Sequence, residues 1–530
     1  MQRPPNAATE QPRIAVIGAG FAGLRCADVL LQHGFPVTIF EARDRVGGRV
    51  AQSHRLGNTV DLGPNWIHGA KENPILQIAK ETGTELHYWD ESEALFDPEG
   101  NLLDAEEAEE YGSLLWDDGL IAEAFEYSER NQKTIDPWRS VYDFFAEKAE
   151  GVFTDLEEDV AKRKREMLLL STQMWGAYVG SPVQRQSLRF FFLEETVEGE
   201  DPFVAGTYAR ILEAVARPAR ERADVRLGCR VSRLITESDN KGQGGVTVET
   251  AGGEKEDFDE VIVTVPLGYL QRNRAMFEPP LPARMTAAIS SLGYGNLDKV
   301  YVTFPSAFWN DALPKYKTAT VPVGPNPTMP NVPATTPPAH ESHRVRDTAA
   351  KPTFPGFANW LPPTYASSTN PERWDQQAMN LAALPQRTAH PTLLFYVYGP
   401  CATHIASLAS SSTPDAALKA FFQPYIALLP NYSPTNPSCQ PKAVLATAWK
   451  NDELAGYGSY SNFQVGLENG REDIEVLRQG CPERGIWFAG EHTAPLDAMG
   501  TTTGAYLSGE RVAQRIIQTH DKRGSGGVRG

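Results

Sequence analysis

The chain has 530 residues, 41% of them hydrophobic and 22% charged, a balance that supports more than one packed core. Its net charge of −17 argues against a nucleic-acid backbone binder, which would carry a basic face; it suits solubility first and attraction of a cationic small molecule second. No run approaches the roughly 20 apolar residues of a membrane helix, and Cys26, Cys229, Cys401, Cys439 and Cys481 are too scattered for a disulfide framework or a zinc site, so buried thiols and no metal are expected. The polar start up to Gln11 lacks the apolar core of a signal peptide, and residues 524–530 form no targeting or prenylation signal, so a cytoplasmic protein is expected.

The first element is a short strand over 13–17, followed at once by Gly18-Ala19-Gly20-Phe21-Ala22-Gly23. A helix over 24–32 and a second strand over 37–40 follow, and that strand ends at Glu41. In such a unit Gly18 makes the tight turn, Gly20 lets backbone approach a pyrophosphate and Gly23 permits close strand–helix contact. The helix N-terminus offers unpaired N–H groups to phosphate. Glu41, 18 residues after Gly23, is placed to accept ribose hydroxyls. An acid here disfavours a 2′-phosphate and leaves NAD and FAD open.

Residues 91–201 are rich in acids, aromatics and helix formers and read as mostly helical, the charge run 104–110 being a solvated face. Short β-branched runs recur at Val246-Thr247-Val248 and from Val261 to Val265. Residues 313–363 are crowded with proline, threonine and alanine and read as a long surface insertion, disordered or loosely packed. A last strand and helix pattern lies within 442–520. Three segments, 12–90, 203–291 and 442–520, are expected to form one nucleotide-binding domain. Residues 91–202 and 292–441 would form a second domain, and 521–530 a disordered tail.

The stretch Glu41-Ala42-Arg43-Asp44-Arg45-Val46-Gly47-Gly48-Arg49 resembles the one that follows the second strand in the flavin amine oxidase family. Asp61 to Gly69, the Asn73-Pro74 pair, Cys229-Arg230-Val231, the strand from Val261 into Pro266-Leu267-Gly268, Ile486 to Thr493, and Gly500-Thr501-Thr502-Thr503-Gly504 continue the likeness. The resemblance spans residues 13 to 516. It implies an α/β fold: an FAD-binding, Rossmann-like domain of the glutathione-reductase type built from discontinuous segments, plus an α+β substrate-binding domain.

The resemblance assigns FAD contacts to Gly18, Gly20, Ala22, Gly23, Glu41, Ala42, Arg43, Gly48, Arg49, Asn65, Trp66, Val231, Glu491, Thr501 and Thr502. Pro64 departs from the small residue usual beneath the flavin ring. Lys299 matches the family lysine that holds a water against flavin N5. Trp449 and Tyr460 match the reacting side of the flavin, Tyr460 as one wall of an aromatic cage. Ser459 stands where monoamine oxidases carry a covalently bonded cysteine, which implies non-covalent FAD.

Thr501 replaces the second cage tyrosine of monoamine oxidases, as in polyamine oxidases and lysine-specific histone demethylases. His68 matches a histidine of animal and yeast polyamine oxidases that contacts substrate nitrogen. The implied activity is oxidation of a polyamine such as spermine, spermidine or an acetylated derivative to an imine, then aldehyde and shorter amine, with O2 reduced to H2O2. Lys299 and His68 would be catalytic, and Trp66, Trp449, Tyr460 and Thr501 would line the substrate site. Glu194, Glu195 and Glu198 are candidates for holding distal ammonium groups. The alternatives are a histone lysine demethylase and a flavin-binding regulatory protein without turnover.

Overall fold

The computed structural model describes residues 11–90, 92–116, 119–236, 245–310 and 354–526, the side chains of 522–526 excepted. Two sheets carry the architecture. The first is five-stranded and entirely parallel, in the order Ile486–Phe488, Glu260–Val263, Ile14–Ile17, Val37–Phe40, Asp224–Arg226. Its inner strands are buried throughout and apolar apart from Thr38 and Glu260, because both faces are covered. On one face lie the helices Phe21–Gln32, Ala209–Arg222 and Thr502–Gly526, which enclose Leu24, Leu30, Ile211, Val512 and Ile516. On the other face a four-stranded sheet of Phe277–Glu278, Val231–Thr236, Val246–Thr250 and Lys255–Phe258 closes a core around Leu234, Val248, Val261 and Phe488.

Gly23 sets how close the first helix sits to its strand. A Cβ there would lie 2.1 Å from the Gly18 carbonyl oxygen, so no side chain fits without moving the turn. Thr264 braces the same turn, its hydroxyl donating to the carbonyls of Ile17 and Gly18 at 2.9 and 3.1 Å. Gly23→Ala is therefore expected to destabilise the protein by about 1–3 kcal/mol, the range for overpacking a tight contact. Chemical denaturation of the two proteins side by side checks this; an unchanged midpoint would count against it.

The second large sheet has six strands, in the order Ala443–Ala446, Leu297–Thr303, Thr392–Tyr398, Gln376–Asn380, Phe357–Trp360, Glu93–Phe96. It is antiparallel except for its last pair. The helices Gly399–Ala409 and Pro414–Ile426 cover one face. Beside it the helices Ala105–Leu115, Leu120–Asn131, Val141–Ala149 and Glu158–Ser171 bear out the helical reading of 91–201.

Three boundaries differ from the sequence expectation. Of the insertion 313–363, residues 313–353 lie outside the described residues, but 354–363 are packed: Phe357–Trp360 is a strand, and Phe354, Trp360 and Leu361 are buried, because aromatic residues there interrupt the proline-rich composition. Ala443–Ala446, read as part of the nucleotide-binding segment 442–520, is instead the edge of the six-stranded sheet, paired in register Val302↔Val444. The last helix runs through to Gly526, past the boundary at 520 where a disordered tail was expected.

Candidate active site

The site begins at the glycine turn. Gly20 precedes the helix Phe21–Gln32, whose first turn carries no acid, and a Cβ on Gly20 would meet nothing within 4 Å. Opposite it, Gly48 has φ +59°, and its nearest obstacle is the Gly20 Cα at 3.5 Å. The two glycines thus leave a bare strip of backbone in front of a helix N-terminus, the shape and polarity that a pyrophosphate needs. Arg45 staples the second wall by donating to the carbonyls of Val46 and Gly48. Ala22 is buried against the last helix, where Gly509 approaches its carbonyl.

Glu41 sits at one end of this strip. Its carboxylate accepts from the Ala19 and Arg43 amides at 2.7 and 2.8 Å, which fixes its direction and leaves lone pairs for further donors. The stretch ahead of Val231 runs alongside: the Gly228 and Cys229 amides donate to the carbonyls of Arg43 and Glu41. Ala42 lies between these two contacts, and Val231 is buried where its strand starts. Arg43 is engaged by Asp452 at 2.8 Å.

At the other end three distant segments converge on Arg49. It donates to Glu491 at 3.1 Å, to the Ser459 carbonyl at 2.6 Å and to the Tyr294 hydroxyl at 3.3 Å. Burial works against ionisation of Glu491, yet Arg49 and the Ser461 hydroxyl hold its carboxyl below the ordinary range. Ser459 contributes its backbone, while its hydroxyl accepts from the Leu297 amide at 2.9 Å.

His492, next along, is fully buried, and neither ring nitrogen has a partner among the described residues. Burial, aided by Arg49 and opposed by Glu491, pushes it from 6.5 to about 4. It therefore stays neutral in the fold while the unfolded chain takes up a proton below 6.5. Its stabilising contribution is complete above that pH and is lost as pH falls towards about 4, by up to about 3 kcal/mol. Buried carboxyls such as Glu194, raised to about 8, titrate with the opposite sign. The difference between wild type and His492→Asn in urea melts at pH 7 and pH 5 isolates the histidine; equal slopes would refute its role.

Lys299 lies on the strand Leu297–Thr303, 5% exposed. Its Nζ donates to the Gly63 carbonyl and stands 5.6 Å from the centre of the Tyr396 ring, on the neighbouring strand in register Lys299↔Tyr396. Burial depresses the lysine and raises Asp61, and each carries charge that partly sustains the other. Tyr396 ties the lysine to the segment before His68: its hydroxyl donates to Asn65 Oδ1 at 3.0 Å and accepts from Trp66 Nε1 at 3.2 Å.

The last helix points its N-terminus at this region. Thr501 caps it, its hydroxyl accepting from the Gly504 amide at 2.9 Å and donating to the Ala498 carbonyl at 2.8 Å. Thr502 lies 3.2 Å from the Tyr208 hydroxyl, which also donates to the Trp66 carbonyl. Tyr460 packs beside Gly500, and its hydroxyl donates to the Tyr178 carbonyl at 2.6 Å. Trp449 is anchored through its amide to Asp298 at 2.9 Å. His68 bonds Asp201 at 2.8 Å.

The proposed residues thus fall into two groups, one along the glycine turn and one around Lys299, joined through Arg49 and Glu491. Of the three acidic candidates, Glu194 accepts from the Phe463 amide at 3.0 Å and lies near Tyr460; Glu195 lies near Glu129 and Asp497; Glu198 pairs with exposed Lys71. Sequence reasoning missed Tyr396, Tyr208, Ser461, Thr264 and Asp201. Tyr396 could have been found from alternation along Thr392–Tyr398, which places it on the same face as Tyr398 and Leu394. The others act through hydrogen bonds between segments far apart in the chain, which carry no sequence pattern.

Residues 21–517 match the flavin-containing amine oxidoreductase family. The chain is 27% identical over 522 residues to probable polyamine oxidase 4 of Arabidopsis thaliana, covering 95% of this chain and 86% of that protein. It is 28% identical over 522 residues to lysine-specific histone demethylase 1 homolog 2 of the same plant, covering 95% of this chain and 58% of that protein. Among solved structures, putrescine oxidase with putrescine bound superposes with a TM-score of 0.64 at 18% identity, covering 96% of this chain and 99% of that one, a likeness of fold. The bare glycine strip before a helix N-terminus, the fixed carboxylate at Glu41 and the Arg49–Glu491 pair fit a dinucleotide-type cofactor. The chain belongs to the flavin-containing amine oxidoreductases, an FAD enzyme that oxidises amines.

Proposed function

We propose that the substrate is a polyamine, oxidised at a C–N bond next to a secondary or primary nitrogen. The supporting observation is the set of acidic groups around the aromatic walls, Glu194 near Tyr460 and Asp201 and Glu93 near Tyr178; burial raises Glu194 to about 8 and Glu93 to about 7, so an approaching ammonium group would draw both into the ionised form. A polycation gains from several separated carboxylates; a simple monoamine has no use for the distal ones. A bound FAD would supply the redox chemistry, hydride acceptance from the amine α-carbon and reoxidation by O2 with H2O2 as product.

The chain's own residues do the positioning. Gly20, Gly48, Glu41, Arg43 and Val231 hold the adenine nucleotide, with Gly18, Gly23, Ala22 and Ala42 shaping the turn around it. Arg49, Glu491, Asn65, Thr501 and Thr502 hold the flavin end. Trp66, Trp449, Tyr460 and Thr501 wall the amine, His68 meets its nitrogen, and Lys299 holds a water. With the Ser459 hydroxyl already bonded to Leu297 and no thiol at that position, FAD is held without a covalent bond. Acid denaturation followed by ultrafiltration is expected to release all the yellow absorbance; colour retained with the protein would refute this.

The test of substrate is peroxide release by the purified enzyme with spermine, spermidine, N1-acetylspermine, benzylamine and a dimethyl-lysine histone peptide. Turnover of a polyamine well above the monoamine and the peptide is expected. Turnover of the peptide alone would favour a demethylase, in line with the 28% identity to such a relative.

A further inference from the structure

The acidic stretch 194–201 ends in a residue whose placement differs from that of the rest. Asp201 spends one carboxylate oxygen on each of two adjacent residues: Oδ2 takes His68 Nδ1 at 2.8 Å, and Oδ1 takes the Gly69 amide at 2.7 Å. A carboxylate fixed at both oxygens cannot swing, so the ring it holds is oriented as well as bonded.

The surrounding backbone makes this rigid. The Ile67 amide donates to the Pro202 carbonyl at 3.0 Å, and the Ala70 and Lys71 amides to the Glu198 carbonyl at 3.1 and 3.0 Å. Trp66 pairs with Phe203. At Gly69, φ +74°, a Cβ would stand 2.0 Å from the Val197 carbonyl oxygen, so the two segments touch. On the far side Asn73 donates to the His68 carbonyl at 2.9 Å and accepts from Thr503 in the last helix at 3.0 Å. His68 is thus clamped between Asp201 and the helix N-terminus, a third of its side chain exposed, with Nε2 free of any partner among the described residues.

We infer that Asp201 is the positioning residue of the active site: it holds the His68 imidazole with Nδ1 as the donor and so presents Nε2 to the amine nitrogen. An ionised carboxylate is an acceptor only, so it selects the Nδ1–H tautomer and leaves Nε2 as the acceptor for a substrate N–H. The same charge, against the opposing effect of burial, raises the histidine above its ordinary value, so Nε2 serves as acceptor only at a pH above that raised value, while Nδ1 keeps its proton on both sides of it. Lys71 and Glu198, from the same two segments, are paired with each other at 2.6 Å on the solvent side. This inference rests on the reading that His68 meets the substrate nitrogen.

Two measurements test it. In holoenzyme labelled with 15N-histidine, with His68 assigned from a His68→Gln variant, long-range proton–nitrogen spectra are expected to show a protonated Nδ1 in the wild type. An Nε2–H tautomer with bare Nδ1 would overturn the proposal, whatever the substrate proves to be. The second measurement is the rate of anaerobic flavin bleaching by spermine and N1-acetylspermine in a double-mutant cycle. Asp201→Ala is expected to lower that rate about 10-fold in the wild type but less than about twofold in His68→Gln, because its effect passes through the ring. Asp201→Asn, which keeps an acceptor for Gly69, should preserve folding and fall between. An equal loss in both backgrounds would make Asp201 merely structural and overturn the proposal. Bleaching by neither amine would instead refute the polyamine reading, while the tautomer spectrum still decides the role of Asp201.

Discussion

Lys299→Met is expected to slow reoxidation of the reduced enzyme by O2 about 100-fold while leaving the protein yellow and folded, the scale on which removal of one preorganised polar group acts. The lysine brings an ammonium group into a place where almost no water reaches it, and among the described residues only the Gly63 carbonyl receives its proton directly. Burial depresses it, and Asp61 and Asp298 offset part of that, so it exchanges a proton far more readily than a surface lysine. Methionine keeps the length and apolar stem and removes only the nitrogen. Asp61 keeps Gln52 and the Tyr208 amide as donors, and its carboxyl, already raised by burial, would neutralise further when its cationic neighbour is gone. Stability should therefore change little. Stopped-flow traces separate the two half-reactions: anaerobic bleaching by spermine and colour return on mixing with O2. If colour returned at the wild-type rate, the water-holding role of Lys299 would fall.

How far the sequence announced this site depends on how local each part is. The glycine turn was legible because strand, turn, helix and Glu41 lie within 30 consecutive residues, and each glycine answers a local backbone demand. Lys299, by contrast, is on a strand where lysine would ordinarily face water, and only likeness to a family picked it out. What buries it is the crossing of Gly63 and Tyr396, from segments far before and after it in the chain. Asp201 was passed over in favour of Glu194, Glu195 and Glu198, since composition cannot say which acid of a run turns inward. The boundary at 442 was misplaced for a similar reason: Ala443–Ala446 is a short apolar strand, and nothing in such a strand states which sheet it joins. Thr501 shows the reverse case. It was singled out for what it lacks, a ring, and the fold adds that its hydroxyl is committed to capping the helix.

The largest effect on cofactor retention is expected at Glu491. Its carboxylate is buried, 3% exposed, and is held by Arg49 on one oxygen and by Ser461 on the other. Removing one partner of such a pair leaves the other charge without compensation, a loss of about 3–5 kcal/mol. In this protein the pair also joins the segment after the second strand to the last strand and to the loop carrying Ser459, so the flavin end of the site depends on it. Glu491→Ala should therefore purify with little yellow absorbance per mole of protein and melt at a lower temperature. Added FAD should raise that melting temperature in proportion to the logarithm of its concentration, since a ligand bound only by the fold stabilises it by mass action. Arg49→Ala should behave alike, and the double variant should lose less than the two singles together, because neither charge is then left alone. Full flavin content and an unshifted melt in Glu491→Ala would show that the two ends of the chain do not meet at this pair to hold FAD.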